Sequence, residues 1–345
     1  MTITIRRGDL DADRDAAIAV FARYLNPGYD HARFAWLYTA NPTGPGRLWL
    51  ATDDRTGEIV GTAGAFPREI YLEGREATAW ALGDFCVAER YRALGPALAL
   101  QRACLEDLEA TSASLFYDFP HRRLMPIYSR LRLGPARLMR RLARPLRADR
   151  RVQQLVGSSV LARGLAAAAN AVLARRARAA VVPAAFASRV LEGTCGPAFS
   201  ALERKVSGDF GTCLRRSAEY LNWRYVNNPV QQHEIITIHE DQRLVAWVVF
   251  AEDAGTGTVV DVFGVPDIEL IRVAIQAAVA ELSVRGCATV VVSLVDSHPW
   301  IDLFRGLGFS ARETNPVILH PIASAGATTR VPVGPLFLTQ GDRDS

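Results

Sequence analysis

The residues best suited to chemistry form one run: Gly83-Asp84-Phe85-Cys86-Val87-Ala88-Glu89-Arg90-Tyr91-Arg92-Ala93-Leu94-Gly95-Pro96-Ala97. A strand ends near Val87, a short polar turn follows, and a helix begins at Pro96. Proline suits a first helical position because its missing N–H has no partner to lose there. The helix carries an apolar stripe at Ala97, Leu100, Cys104 and Leu108, with Arg102, Glu106 and Glu109 elsewhere. Arginine and glycine at a helix start make a cradle for an anion. Outward N–H groups and the helix dipole both favour negative charge, and a pyrophosphate fits. Neither G-x-x-x-x-G-K-[ST] nor G-x-G-x-x-G occurs, so this is not a P-loop or a Rossmann fingerprint. A surface helix merely capped by Arg92 and Gly95 is the competing reading.

The elements around this run occur twice. Phe34 to Pro42 and Leu221 to Pro229 share W-x-Y-x-x-N-P, and Trp36 and Trp223 stand 187 positions apart. A hairpin follows each motif: Arg47 to Ala51 and Ile59 to Phe66 about an Asp53–Gly57 turn, then Glu234 to His239 and Leu244 to Phe250 about Glu240–Gln242. A strand ending in a carboxylate comes next, Ala79 to Asp84 and Thr258 to Asp261. A helix (Pro96 to Ala110; Asp267 to Val284) and a further strand (Ser114 to Phe119; Ala288 to Val295) complete each set. One order repeated over five elements argues for duplication more strongly than the motif does. The aromatic pairs Trp36/Tyr38 and Trp223/Tyr225 are expected to anchor a helix to its hairpin, with a substrate-lining role as the alternative.

The chain is divided accordingly: 1–148, a helical linker 149–183, 184–322, and a tail 323–345 that is irregular apart from a short strand near Leu336 to Leu338. The Ala/Arg-rich linker reads as one or two helices; an interfacial amphipathic helix is the other possibility. Its apolar stretch, 152–182, is cut by Arg163, Arg175, Arg176 and Arg178, too short between cuts for the ~20 apolar residues of a membrane span.

Composition narrows the classes. The chain has 345 residues, 49% hydrophobic and 22% charged, enough to bury substantial cores. The net charge of +4 is mild, and Lys205 is the sole lysine, which disfavours a nucleic-acid partner. Arginines at 130, 132, 137, 140, 141, 144, 147, 150 and 151 form a basic run, either a solvated surface or a contact for an anionic partner. Cys86, Cys104, Cys195, Cys213 and Cys287 are widely spaced, with no C-x-x-C, which fits a reducing compartment. His31, His233, His239, His298 and His320 lack metal-ligand spacing, so no metal is expected. The N-terminus has no apolar h-region, and a cytoplasmic location follows as an expectation.

Arg92-Ala93-Leu94-Gly95-Pro96-Ala97 resembles the R-x-x-G-x-[GA] pyrophosphate loop of the GCN5-related N-acetyltransferases (GNAT). The resemblance covers about residues 1 to 147 in element order. It implies an α/β mixed sheet and an acyl-CoA co-substrate, with acetyl-CoA expected. The diphosphate would be held at Arg92, Ala93, Leu94, Gly95, Pro96 and Ala97, and the pantetheine arm along Phe85, Cys86 and Val87. His121-Arg122-Arg123-Leu124-Met125-Pro126-Ile127-Tyr128 sits where the family has N-x-x-A-x-x-x-Y. This puts Tyr128 at the position of the acid that protonates the departing thiolate, with core packing as its other role. Asp84 is the first candidate for the base and a salt bridge its alternative; Glu89 and His121 come after it. His121 and Leu124 depart from the usual asparagine and alanine, and Leu131-Arg132-Leu133 from L-G-F.

The second copy reads Val265-Pro266-Asp267-Ile268-Glu269-Leu270 at the loop, whose acids would repel a diphosphate. Leu303-Phe304-Arg305-Gly306-Leu307-Gly308-Phe309 resembles L-Y-x-K-L-G-F, but Phe304 has no proton to give. Two tandem GNAT-like domains with a degenerate second copy are therefore expected. The expected activity is acyl transfer to the amine of a small molecule or amino sugar, and a homodimer is compatible with it. Two other readings stay open. One is a non-catalytic acyl-CoA-binding or interaction protein, marked by CoA binding without turnover. The other is a long-chain transferase, marked by preference for octanoyl-CoA or longer.

Overall fold

The computed structural model describes residues 2–91, 94–148, 167–168, 170–171, 185–322 and 334–343. The linker expectation therefore lies almost wholly outside the described residues, as do Arg92 and Ala93.

The first half runs β1 (Ile3–Arg7), α1 (Arg14–Tyr24), α2 (His31–Phe34), β2 (Arg47–Asp53), β3 (Ile59–Leu72), β4 (Arg75–Val87), α3 (Leu94–Glu109), β5 (Leu115–Asp118), α4 (Met125–Arg130) and β6 (Arg137–Pro145). The second runs β7 (Phe186–Val190), α5 (Pro197–Val206), β8 (Thr212–Leu214), α6 (Ala218–Leu221), β9 (Glu234–Glu240), β10 (Arg243–Asp253), β11 (Thr256–Gly264), α7 (Ile268–Val284), β12 (Thr289–Val295), α8 (Ile301–Gly306) and β13 (Ser310–Pro321). A short strand β14 (Leu336–Phe337) follows, inside the span expected from sequence.

The repeat continues into the local geometry. α2 and α6 are capped by Asp30 and Ser217, whose side chains accept from Arg33 N–H and Tyr220 N–H. Each passes directly into a π-helical turn, Ala35–Thr39 and Asn222–Val226, that carries the W-x-Y core of the motif. The long β3–β4 hairpin turns at Glu73-Gly74 and the β10–β11 hairpin at Ala254-Gly255. All four residues have positive φ, as a two-residue type I′ turn requires.

Strand order across the sheet is β1-β2-β3-β4-β5-β13-β6-β12-β11-β10-β9-β7. The order is a palindrome of corresponding strands about the antiparallel β13–β6 pair. Each half thus contains a strand from the other. β13 lies between β5 and β6, while β6 lies between β13 and β12. The arginine-rich segment expected on a strand-and-helix surface supplies this central strand, with Arg137, Arg140, Arg141 and Arg144 partly buried on it. One apolar cluster gathers side chains of both halves, from Phe21 and Phe66 to Trp247 and Phe304.

Trp36 and Trp223 do not chiefly anchor a helix to its own hairpin. They stack on each other across the two halves, with ring centroids 5.2 Å apart. Tyr38 does pack on the hairpin, edge-on to Phe66 at 4.9 Å.

Candidate active site

The site begins at an interruption in the sheet. β4 and β5 pair in parallel through Ala79↔Leu115, Trp80↔Phe116 and Ala81↔Tyr117, and the pairing stops there. Beyond it, β4 slips register against β3 between Thr62 and Gly64. Asp84 lies in the slip with φ of 47°, and the Thr62 hydroxyl donates to its carbonyl oxygen at 3.1 Å. Such a bulge bends a strand and re-aims a side chain.

The bulge leads into a cavity of about 300 Å³ that Asp84, Phe85, His121 and Tyr128 all line. Four residues proposed from different stretches of sequence are thereby brought together. Cys86 and Val87 turn their side chains into the cores, the Cys86 sulfur 3.1 Å from the Thr62 hydroxyl. Glu89 lies in the exposed turn beyond β4 and is not part of the cavity lining.

The Tyr29 hydroxyl donates to Asp84 Oδ2 at 2.5 Å. Burial, then the Asp84 charge, holds Tyr29 well above the ordinary phenol range. The same two influences raise the fully buried Tyr38. Tyr128 is buried, and its hydroxyl donates to Asp118 Oδ2. Gln101 Nε2 in turn donates to the Tyr128 oxygen at 3.4 Å. Burial, then Asp118, keeps the Tyr128 proton on well above the usual pKa. Burial pushes Asp118 up to about 7, against the opposing pull of the Tyr128 hydroxyl, the Phe119 N–H and the Arg343 guanidinium. Asp118, Gln101 and Tyr29 were not singled out from sequence. Asp118 carried a usable signal, since it is a carboxylate one residue before the end of a predicted strand, Ser114 to Phe119.

The turn after β4 is braced from below. Tyr91 donates to Asp53 Oδ2 at 2.5 Å, and Arg90 pairs with Glu58. α3 starts at Leu94, two residues before Pro96. Gly95 does not adopt positive φ, and a Cβ there would meet nothing within 4 Å. The glycine therefore serves no backbone twist; among the described residues, the space beside its Cα is open. Pro96 is half-buried, and Ala97 is buried under the helix.

The corresponding opening in the second half is differently occupied. β11 and β12 pair up to Val259↔Val292. Past that point the chain's own tail enters: the Val295 N–H donates to the Leu338 carbonyl at 3.1 Å, and Gln340–Asp342 lies against both strands. Arg216 stands 187 positions after Tyr29 and contacts Asp261, the counterpart of Asp84, at 2.9 Å. Arg216 also pairs with Asp342 at 3.0 Å, and all three side chains are buried. Tyr225 and Thr339 add hydroxyl donors to Asp261, each at 3.0 Å. Where the first half presents a carboxylate to a cavity, the second encloses one in a filled ionic network.

A larger groove of about 970 Å³ passes over Trp36 and Trp223, but among the described residues that line it only Arg204 and Glu219 are charged. Burial pushes the Cys195 thiol there up to about 12, which favours its protonated form.

Residues 3–135 match the family described as acetyltransferase (GNAT) domain. This segment is a GNAT domain. The GNAT fold extends beyond it. A GCN5-related N-acetyltransferase of Anabaena variabilis ATCC 29413 superposes with a TM-score of 0.67 at 10% identity, covering 93% of this chain and 73% of that one. A second, from Kribbella flavida, gives 0.60 at 17% identity over 93% and 71%. Saccharomyces cerevisiae N-myristoyltransferase with bound myristoyl-CoA gives 0.58 at 12% identity over 92% and 82%. At these identities the likeness is one of fold. No curated protein sequence matches the chain. The family match of residues 3–135 supports acyltransferase activity. Among the described residues, no helix is long and apolar enough to cross a membrane, and no cluster of three metal-ligating side chains occurs.

Proposed function

We propose that the chain is an acyl-CoA-dependent N-acyltransferase, using acetyl-CoA, that acts in the cytoplasm on the amine of a small molecule or amino sugar. In this reading residues 1–148 and 184–322 are two copies of one fold, and only the first is catalytic. The observation that carries it is the opening of β4 from β5 after Ala81, which gathers Asp84, Phe85, Asp118 and Tyr128 around one cavity.

The diphosphate of CoA binds at the α3 N-terminus through Arg92 and the N–H groups of Ala93, Leu94, Gly95 and Ala97, and Gly95 leaves room for it. The pantetheine arm runs along Phe85 to Val87. A backbone N–H of that stretch stabilises the oxyanion as the amine nitrogen attacks the thioester carbon. Asp84 takes the amine proton directly or through a water. As the C–S bond breaks, Tyr128 gives its proton to the sulfur, and protonated Asp118 returns one to Tyr128. The products are the amide and free CoA thiol. Positioning of the two substrates supplies most of the acceleration.

The second half supports this division of labour. The tail fills its opening and Arg216 neutralises Asp261, so neither a thioester nor a base is available there. The direct test combines acyl-CoA binding with detection of CoA thiol across an amine panel. Turnover lost in Tyr128→Phe supports the assignment. CoA binding without turnover of any amine makes the chain a binding protein, and absence of CoA binding removes the reading altogether.

A further inference from the structure

A second cavity of about 260 Å³ adjoins the catalytic one, and the two share Phe119, Pro120, His121 and Arg343. This neighbour lies over the central strands and is lined by Arg141 of β6, Asn315 of β13, Ser293 of β12 and Gln340 of the tail. Both acids that line the inner cavity, Asp84 and Asp118, are absent from the outer lining; Arg123 also lines the inner one, Arg141 the outer one, and Arg343 lines both. Glu313, the one acid lining the outer cavity, pairs with Arg141 at 3.1 Å, and both side chains keep substantial solvent access. Burial lowers the pKa of Arg343, and the charge of Asp118 raises it against that effect.

Arg343 is held in place from behind. Arg216 fixes Asp342 at 3.0 Å, Arg224 Nε donates to the Gly341 carbonyl at 2.8 Å, and Arg224 Nη2 donates to the Arg343 carbonyl itself. The Tyr117 hydroxyl, on β5, donates to the Asp342 carbonyl at 3.2 Å. The tail that closes the second half's opening therefore delivers a guanidinium to the first half's site. A planar guanidinium matches a carboxylate by two parallel hydrogen bonds, and neutral Asn, Gln and Ser side chains beside it can take the remaining lone pairs.

We propose that the acceptor is an amine that also bears a carboxylate, of amino-acid size, with its amine at Asp84 and its carboxylate at Arg343 and Arg141. The proposal rests on the acyltransferase reading and narrows its substrate class. The two linings together offer what one small zwitterion needs: Asp84 for the amine, and Arg343 with Arg141 for the carboxylate. It also gives the second half a task, since the buried Arg216 network sets the position of a substrate-binding residue.

The experiment uses the full chain with acetyl-CoA and a panel of free amino acids, each set beside its primary amide and its decarboxylated amine, with glucosamine as a neutral amino sugar. The expected result is a kcat/KM at least tenfold higher for one or more amino acids than for the matching amide. In Arg343→Gln and in Arg141→Gln, that preference collapses at least tenfold, mainly through acceptor KM, while the KM for acetyl-CoA stays within about twofold. Equal turnover of amino acid and amide, preference for glucosamine, or an Arg343→Gln variant that loses both acceptors alike overturns the proposal and leaves acyl transfer standing. Acetyl-CoA binding by calorimetry without turnover of any amine overturns it as well, with the CoA site intact. No acetyl-CoA binding removes the reading beneath it.

Discussion

Trp36 and Trp223 hold one another by a reciprocal pair of hydrogen bonds: Trp36 Nε1 donates to the Trp223 carbonyl at 2.8 Å, and Trp223 Nε1 to the Trp36 carbonyl at 2.9 Å. Arg68 lies over the Trp223 ring and Arg224 over the Trp36 ring, at 5.0 and 5.3 Å. The palindrome of the sheet thus recurs at a single contact between the halves. Truncating either indole leaves a cavity and a carbonyl without its donor, at about 3–5 kcal/mol by the usual cost of large-to-small core changes. Urea unfolding of Trp36→Ala, Trp223→Ala and the double variant should give strongly non-additive losses, because both singles remove the same pair. Additive losses would mean that the tryptophans act within their own halves.

The buried network behind the tail makes a second prediction. Arg216→Met leaves Asp261 and Asp342 as buried acids without their counter-charge, which typically costs about 3–5 kcal/mol. Limited proteolysis should then release the segment after Ile322 before the rest of the chain opens. A tail that stays protected would show that β14 pairing and apolar packing alone retain it.

These two features mark what the sequence could and could not disclose. The hairpins, the α3 helix and the offset of 187 were legible because turn residues, apolar period and a short motif are local signals. The exchange of β6 and β13 was not. Both strands are bordered by loops and pair with partners far away in the chain, so no local pattern distinguishes a shared strand from a private one. Within the site, Asp84 and Tyr128 could be proposed from strand ends and from a family pattern. Arg343 could not, because its place depends on where a tail more than 200 residues downstream comes to rest.

For the proton transfers, two conservative variants separate chemistry from folding. Asp84 occupies a left-handed conformation that asparagine tolerates, so Asp84→Asn should keep the bulge. Loss of a general base or acid typically lowers turnover by about 10²–10⁴. Asp84→Asn and Tyr128→Phe should each fall in that range in kcat, with little change in the KM for acetyl-CoA. A Tyr128→Phe enzyme with wild-type kcat would reduce that residue to packing.

Asp118 supplies a pH signature of its own. Its folded-state pKa of about 7 lies above that of a free aspartate, near 4. The fold therefore favours the protonated acid. The resulting stabilisation is complete below about pH 4 and is lost as pH rises through about 7. Asp118→Asn stays neutral throughout, so its Tm should exceed wild type at pH 8 and lose that advantage at pH 4.5. Parallel Tm curves for the two proteins would mean that Asp118 is ionised across the range.

The most direct measurement is calorimetric titration of the purified chain with acetyl-CoA, alongside Arg92→Ala and Gly95→Val. One site per chain is predicted, because the tail fills the second opening, with affinity at least tenfold weaker in each variant. No heat of binding, two sites per chain, or variants that bind like wild type would contradict a single CoA site at the head of α3.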